Sequence, residues 1–339
     1  MVLLAIAFGL VFILLGVAAC GGSSHASSPT TSPTSSPTPT ATTPSPTATT
    51  PSPTATPAPT ASPSPSPTPA PGLPGMLAGI GDSYMRGYDP SAMLGGFKDH
   101  PQFSFVFGTV KGDGIFSLRE RFAALGDNAV MEDAAKTGVK MIDAARQARL
   151  VVSAAKKLPA GKTAFVVFEL GTNDLCGQPE TPMTKPATFD SQLRAALKIL
   201  SDGLPAGSRI LMLSVPNFLH FHDITQADPT ARAHFLMKNN INRCPPFLGT
   251  NSAITYAAAR SILVQYNDKL VGRCADVEAA GKIHCMSDRF GLAEVDFKIG
   301  DLSNADYFHP SLSGQAKMAE DCWNLGPWGS VPLPADAAY

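Results

Sequence analysis

The feature that most constrains the fold of this chain is a long segment, residues 26–71, that contains only Ala, Ser, Thr and Pro. Such a segment has too few apolar side chains to bury a core. Its frequent prolines favour extended polyproline II structure, which makes a semi-rigid spacer. We therefore predict a disordered stalk over residues 21–71 and a folded domain over residues 72–339, where every Asp, Glu, Lys and Arg lies.

The chain begins with an apolar run, residues 1–20, that ends in small side chains. This pattern is typical of a secretory signal peptide. Its last four residues, Val17–Cys20, resemble the lipobox of bacterial lipoproteins. The resemblance implies cleavage before Cys20, lipidation of the Cys20 thiol, and a protein anchored on the extracytoplasmic face of the cell membrane. An uncleaved membrane anchor is the alternative, because the run is about long enough to span a bilayer.

The charge of the chain limits its partners. It has 26 basic and 27 acidic residues, a formal net charge of −1, and no cluster of basic side chains. A neutral balance argues against binding to nucleic acid, which requires many positive charges. We expect a monomer that meets a membrane only through its N-terminal lipid.

Five cysteines remain beside Cys20, and no Cys-x-x-Cys or Cys/His spacing indicates a zinc site. In an oxidising compartment they can pair, but an odd number leaves one thiol over. We predict the pairs Cys274–Cys285 and Cys176–Cys244, which leaves Cys322 unpaired, although spacing alone does not decide connectivity.

Short apolar runs alternate with longer helical patterns along the domain. The predicted strands are residues 76–80, 163–170, 209–215 and 282–287. The predicted helices are residues 115–125, 139–158, 189–200, 253–274 and 312–325. Alternation of this kind predicts an α/β fold with a parallel sheet between layers of helices.

Four polar stretches lie close to the ends of these elements: "GDSY" (81–84), "AKTG" (135–138), "GTND" (171–174) and "DYFHPS" (306–311). Ligands of such sheets bind outside the carboxyl ends of the strands. We therefore expect the four stretches to meet at one edge of the sheet.

These stretches contain the groups that nucleophilic catalysis requires. A serine hydroxyl such as that of Ser83 needs a base to take its proton, and His309 can supply it. Asp306, three residues before His309, can hold the imidazole in the correct tautomer. Each of these residues alone is more often part of an ordinary turn. Together they form a candidate Ser-Asp-His set.

Acyl transfer also needs donors for a developing oxyanion. The backbone N–H of Ser83 is one candidate. The side-chain amide of Asn173 is a second, because "GTND" follows the most strongly apolar strand. The N–H of Gly138, just before a predicted helix, is the third.

The Gly-Asp-Ser at the domain start, the lone Gly138, the Gly-x-Asn-Asp after a buried strand, and the Asp-x-x-His near the end resemble the SGNH, or GDSL, hydrolase family over residues 76–325. The strings "GTNDLC" and "FHPSLSGQAKMAEDCW" look most like its phospholipase-B-like branch. The resemblance implies a flavodoxin-like three-layer α/β/α fold. It also implies a Ser83, His309 and Asp306 triad, and an oxyanion hole from Ser83, Gly138 and Asn173, with no metal or cofactor.

The function that follows is a serine esterase or lipase acting on a small-molecule, lipid or glycan ester. An acyltransferase would use the same triad, and a binding lipoprotein would need none of it, so both stay open.

Two other features are less specific. His220, His222 and Asp223 could ligate a metal, but contact with substrate is the favoured role because they follow a strand. Residues 97–114 form an insertion that is a cleft wall or a surface excursion.

Overall fold

The computed structural model describes residues 71–177, 183–236, 244 and 252–334. The predicted signal peptide with Cys20, and the stalk up to residue 70, lie outside the described residues. No helix in the described ranges combines the length and the apolar character that a membrane crossing requires.

The described chain forms a five-stranded sheet in which every pair of neighbouring strands is parallel. The strands are β1 (Met76–Gly81), β2 (Val130–Asp133), β3 (Ala164–Glu169), β4 (Arg209–Met212) and β5 (His284–Ser287). Their order across the sheet is β2-β1-β3-β4-β5. This is the flavodoxin-like order, so the predicted fold class is confirmed.

Strands β1 and β3 lie at the centre of the sheet, and all their residues are buried. This is the reason why both read as continuous apolar runs in the sequence. They pair in register from Met76 with Ala164 to Gly81 with Glu169. Strand β2, at the sheet edge, was not predicted. Its sequence "VMED" has only two apolar residues and is partly exposed, so it lacks the continuous apolar run of a buried strand.

Helices cover the sheet. They are α1 (Leu118–Ala124), α2 (Ala144–Ala155), α3 (Thr172–Leu175), α4 (Pro186–Gly203), α5 (Phe218–Ala227), α6 (Pro229–Leu236), α7 (Ser252–Ala280), α8 (Gly291–Glu294) and α9 (Leu312–Leu325). Helix α2 packs on α4 and α4 on α7, whereas α1 packs on α9. The connection from β1 to β2 runs in one direction across the sheet, and the connections from β2 through β3 and β4 to β5 run in the other. Because connections between parallel strands are right-handed, the two groups of helices lie on opposite faces.

The ends of the helices follow local capping signals. Ser117 and Glu120 form a reciprocal capping box at the start of α1. The Ser311 hydroxyl accepts the Gly314 N–H at the start of α9, which fixes where the preceding turn ends. Helix α2 begins later than predicted. A 3-10 turn, Met141–Asp143, precedes it, so Gly138 lies in a separate loop and not at the helix terminus.

Aromatic side chains fill both faces of the sheet. On the face of α1 and α9, the Trp328 ring lies edge-on to Phe122 and Phe165, each at 4.9 Å between centroids. On the opposite face, the rings of Phe189 and Tyr266 stack at 3.9 Å. These buried rings make the sheet a rigid platform for the loops at its carboxyl edge.

Candidate active site

The first of these loops is a tight turn over residues 82–88 that follows β1 and carries Ser83, the predicted nucleophile, and we call it the nucleophile turn. The Tyr84 N–H donates to Asp82 Oδ1 at 3.0 Å, and the Tyr88 N–H donates to the Ser83 carbonyl at 3.0 Å. Ser83 is almost completely buried, with 3% of its surface exposed. The turn therefore presents the hydroxyl at the point between β1 and β3 where the strand order reverses, the usual ligand position in this fold.

The second loop, residues 303–310, is a closed turn that we call the catalytic turn. The Ser303 N–H donates to the His309 carbonyl at 2.7 Å, and the Tyr307 N–H donates to the Ser303 carbonyl at 2.7 Å. Leu302 and Pro310 close its base as an antiparallel bridge. The turn brings Asp306 and His309 together and directs them toward the Ser83 loop.

An unbroken hydrogen-bond chain joins the three side chains. The His309 Nε2 lies 2.9 Å from Ser83 Oγ. The His309 Nδ1 lies 2.6 Å from Asp306 Oδ2. The other carboxylate oxygen, Oδ1, accepts the N–H groups of Phe308 and His309 at 3.0 Å each. The structure thus brings together the three side chains for which the sequence predicted the roles of nucleophile, base and orienting acid, at distances that nucleophile activation requires.

The environment favours an ionised Asp306. Burial alone would raise the pKa of this carboxyl, which has no exposed surface. The charge of His309, the hydrogen bond from its ring and the two backbone N–H groups outweigh burial and hold the pKa of Asp306 below its ordinary value. An ionised Asp306 accepts the Nδ1–H of the imidazole, an arrangement that directs Nε2 at Ser83 Oγ.

Aromatic rings hold the imidazole in place. The His309 ring lies 4.7 Å from the Tyr88 ring and 5.7 Å from the Tyr84 ring, centroid to centroid. The Tyr84 hydroxyl donates to the Phe308 carbonyl at 2.8 Å. Tyr84 therefore ties the nucleophile turn to the catalytic turn, a role that its sequence position did not reveal.

Two of the predicted oxyanion donors are backbone groups with open hydrogen-bonding capacity. Within the described ranges, the N–H groups of Ser83 and Gly138 have no hydrogen-bond acceptor. Gly138 lies in an exposed loop with φ of +79°, where an added Cβ would meet no atom within 4 Å. Glycine adopts this backbone more readily than any residue with a Cβ. We call residues 134–138 the Gly138 loop.

Asn173, the third predicted donor, lies at the start of α3 beside the nucleophile turn. Its amide nitrogen donates to Asp82 Oδ2 and to the Val139 carbonyl, both at 3.0 Å. Because both amide hydrogens are engaged, Asn173 can donate to an oxyanion only by giving up one of these bonds. Its observed role is to join the nucleophile turn to the segment that follows the Gly138 loop.

Two buried glutamines, which the sequence did not single out, flank the nucleophile. Gln147 on α2 exchanges two hydrogen bonds with the backbone of Gly81, at 2.9 and 3.0 Å. Gln315 on α9 donates to the Tyr84 carbonyl and accepts the Phe105 N–H, both at 2.9 Å. Both side chains are fully buried. A polar residue at a core-facing helix position is the only signal that could have found them.

A buried carboxyl pair lies under the same turn. The Glu169 Oε2, at the end of β3, lies 3.5 Å from the backbone nitrogen of Asp82. Burial raises the pKa of Asp82 to about 7. Burial, followed by the negative charge of Asp82, raises the pKa of Glu169 well above its ordinary value. Two carboxyls in a dry site therefore retain a proton at neutral pH.

Three remaining predictions concern structures around the site. The disulfides Cys176–Cys244 and Cys274–Cys285 are both formed, so both predicted pairs are confirmed, and Cys322 is buried and unpaired. Cys176 directly follows α3, so its disulfide restrains the segment that carries Asn173.

The middle of the insertion 97–114 belongs to the core, because Phe105 is fully buried.

The segment of His220 and His222 is helical and not extended. Both lie on α5, where residues two apart point in different directions, so the two imidazoles do not share one face of the helix. The His220 Nε2 contacts the Phe297 carbonyl at 2.7 Å, and the His222 Nδ1 lies 3.2 Å from Asp223 Oδ1. The described residues contain no group of three side chains suited to bind a metal.

Comparisons with known proteins identify the family of the chain. A model of the GDSL-like lipase/acylhydrolase family matches residues 77–322. Among solved structures, TesA is 19% identical over 74% of this chain and 97% of its own, with a TM-score of 0.43. The esterase EstA from Pseudoalteromonas sp. is 15% identical over 74% of this chain and 95% of its own, with a TM-score of 0.41.

The salicylyl-acyltransferase SsfX3 is 12% identical over 78% of this chain and 57% of its own, with a TM-score of 0.40. A search of the curated proteins gives no match. These structural likenesses are distant, so the family match over most of the domain carries the assignment. The chain belongs to the GDSL-like lipase/acylhydrolase family of ester-hydrolysing enzymes.

Proposed function

We propose that this protein is an extracytoplasmic, lipid-anchored serine esterase or lipase that hydrolyses carboxylic esters through Ser83, His309 and Asp306. The observation that carries the proposal is the hydrogen-bond chain from Ser83 Oγ to His309, 2.9 Å, and from His309 to Asp306, 2.6 Å. Its burial in the family's matched region supports a catalytic role over a role in turn structure.

The first half of the reaction acylates the enzyme. His309 Nε2 takes the Ser83 Oγ proton as Oγ attacks the ester carbonyl carbon, and the resulting imidazolium is stabilised by the Asp306 carboxylate. The negative charge on the former carbonyl oxygen is met by the N–H groups of Ser83 and Gly138. Asn173 joins them if its amide exchanges the Val139 carbonyl for the oxyanion. The imidazolium then protonates the leaving alcohol.

The second half releases the acid. His309 takes a proton from water, the hydroxide attacks the acyl carbon, and Ser83 Oγ leaves with the proton that His309 returns. An alcohol in place of water would make the same site an acyltransferase. The protein residues that we name perform the whole cycle without a metal or an organic cofactor.

The test compares the full chain with Ser83→Ala and with a matched control, Ser153→Ala. Ser153 is exposed on α2 and lies outside the site. Initial rates on p-nitrophenyl acetate should fall by about 10⁴-fold or more in Ser83→Ala and stay unchanged in Ser153→Ala. Equal rates in all three proteins would overturn the proposal. Product analysis in the presence of added alcohols separates hydrolysis from transfer.

The anchoring part of the proposal rests on the sequence of residues 1–20. Diacylation of Cys20 supplies two chains, which is sufficient for stable attachment to a bilayer. In cells, the wild-type chain should fractionate with membranes, and Cys20→Ser should lose the lipid and its mass. Equal lipid mass on both proteins would contradict the anchor at Cys20.

We further propose a monomer that binds no nucleic acid, and light scattering tests its oligomeric state.

A further inference from the structure

The Gly138 loop is held differently from the other loops of the site. Backbone hydrogen bonds from β1 reach only part of it, from the Ala134 N–H to the Gly79 carbonyl and from the Lys136 N–H to the Gly81 carbonyl. Beyond Lys136, the loop makes no further backbone bond to β1 in the described chain. Packing does not hold Gly138 either, because no atom lies within 4 Å of the position of a Cβ.

Side chains take over where these backbone bonds end. The Thr137 hydroxyl, adjacent to Gly138, donates to Asp99 Oδ1. The other oxygen of the same carboxylate, Asp99 Oδ2, accepts from Arg86 Nε at 3.0 Å. Arg86 lies on the nucleophile turn, three residues after Ser83. One carboxylate therefore connects the Gly138 loop with the turn that carries the nucleophile.

A second path closes the connection into a ring. The Arg86 guanidinium also donates to Asp133 Oδ2, at the end of β2. The other oxygen of that carboxylate, Asp133 Oδ1, accepts the Ala135 N–H at 3.1 Å, at the start of the Gly138 loop. Arg86 thus contacts the entry of the loop through Asp133 and its exit through Asp99 and Thr137. We call these four side chains the Arg86 ring.

The chemistry of arginine suits this position. Its planar guanidinium presents several N–H groups in fixed directions, so two carboxylates bound to it are fixed relative to each other. The side chains are neither fully buried nor fully exposed, with 23%, 30% and 20% exposure at Arg86, Asp99 and Asp133. Such ion pairs contribute little to global stability. Their effect is on where the loop lies.

We propose that Arg86 and Asp99 are positioning residues that act through Thr137 to hold the Gly138 N–H at the distance from Ser83 that an oxyanion requires. This inference rests on the proposed ester hydrolysis. Hydrogen bonds to a transition-state oxyanion depend on placement within about 0.5 Å. A loop that is exposed at Gly138 and lacks packing there needs a fixed side-chain link to reach that precision.

The sharpest test is Thr137→Val, which keeps the shape of the side chain and removes only its hydroxyl. Thr137→Ser keeps the hydroxyl, and Thr188→Val, at an exposed position on α4, is the matched control. Full-length proteins are assayed for kcat and KM on p-nitrophenyl acetate. We expect kcat to fall by about tenfold to a hundredfold in Thr137→Val with KM changed less than about twofold. Thr137→Ser and Thr188→Val should stay near wild type.

A second readout isolates the oxyanion. The rate of covalent inactivation by a p-nitrophenyl alkylphosphonate passes through a similar charged intermediate, so it should fall in parallel with kcat. Arg86→Lys keeps the positive charge but loses the planar guanidinium, so it cannot bind Asp99 and Asp133 in fixed directions. We expect a loss of kcat similar to that of Thr137→Val. The melting temperature of Thr137→Val should stay unchanged, which separates positioning from a general loss of structure.

The outcomes are distinguishable. A Thr137→Val kcat within twofold of wild type overturns the inference while the wild-type rate leaves ester hydrolysis intact. An equal loss in Thr137→Ser also overturns it, because the hydroxyl would then not be the relevant group. A wild-type chain that neither hydrolyses the ester nor reacts with the phosphonate overturns the proposed function, and the inference with it.

Discussion

The catalytic turn and the Gly138 loop face the same serine but are held in place by different means. In the catalytic turn, Asp306 is fixed by two backbone N–H groups from its own turn and has no exposed surface. In the Gly138 loop, the last fixed contact is a threonine hydroxyl that reaches a half-exposed aspartate. The catalytic turn is therefore held locally, whereas the Gly138 loop depends on side chains that are distant in the sequence.

This difference separates two kinds of sensitivity. Groups fixed by neighbouring backbone keep their geometry unless the turn itself unfolds. Groups fixed through partly exposed ion pairs can shift with little change in global stability, because such pairs contribute little to it. Substitutions in the two regions should therefore affect rate and stability in different proportions.

The largest effect is expected in the catalytic turn, for Asp306→Asn. The asparagine carbonyl can still accept the backbone N–H groups of Phe308 and His309, but its amide would donate to His309 Nδ1. The imidazole would then carry its proton on Nε2 and could not accept from Ser83. We expect kcat for p-nitrophenyl acetate to fall by about 10⁴-fold.

The control for this variant is Asp296→Asn, an exposed aspartate that pairs with Lys298. It should keep wild-type rates. A wild-type rate in Asp306→Asn would mean that the local hydrogen bonds of the catalytic turn do not set the tautomer.

The next largest effect concerns stability, and Gln315→Leu addresses it. The Phe105 N–H would lose its partner in a fully buried place, and the Tyr84 carbonyl would keep only the bond from the Gly87 N–H at 3.4 Å. An unsatisfied buried group costs about 1–3 kcal/mol, so the free energy of unfolding should fall by at least about 1 kcal/mol. Thr137→Val, in the Gly138 loop, should change it by less than about 0.5 kcal/mol.

Chemical unfolding monitored by tryptophan fluorescence measures both values, since Trp323 and Trp328 are buried. Equal losses of stability in the two variants would remove the distinction between a buried support and a half-exposed one.

The smallest effect on rate is expected for Glu169→Gln, under the nucleophile turn. Burial raises the pKa of Glu169 well above its ordinary value and so favours the neutral carboxyl, which glutamine resembles. We expect kcat at pH 7 to stay within a few-fold of wild type. A loss comparable to that of Asp306→Asn would show that the Glu169 carboxylate is required.

The same pair gives a pH dependence of known sign. Asp82 and Glu169 have raised pKa values when folded, so the folded state binds more protons than the unfolded state. Their contribution to stability is present below the ordinary carboxyl pKa and is lost as pH rises toward about 7 and above. Asp306 acts oppositely: its lowered pKa contributes stability above the ordinary value, which is lost as pH falls through the folded value.

Unfolding free energies of wild type and Glu169→Gln between pH 4 and 8 test this sign. The stability of Glu169→Gln should increase relative to that of the wild type as the pH rises. Glu132→Gln, on the half-exposed edge strand β2, is the control and should run parallel to wild type. If the stability of Glu169→Gln also ran parallel to that of the wild type, the raised pKa values of the Asp82 and Glu169 carboxyls would be contradicted.

Much of the fold could be predicted from the sequence. Alternating apolar strands and helices predicted the parallel α/β fold, because buried strands need continuous apolar runs and helices need a period of 3.6 residues. The short edge strand β2 was missed, because half-exposed strands need few apolar residues. Helices α5 and α6 were also missed, although Asn217 caps the first of them.

The sequence by itself determined which groups are available: Ser83, His309, Asp306, Gly138, Asn173 and the cysteines. Local spacing suffices to bring Asp306 and His309 together, since they share one turn and turn chemistry is encoded nearby. Only the tertiary structure decided that Asn173 bonds to Asp82, that Gln147 and Gln315 support the nucleophile, and that Arg86 reaches the Gly138 loop. The physical reason is that a side-chain hydrogen bond between residues far apart in the chain depends on packed geometry, which no local pattern records.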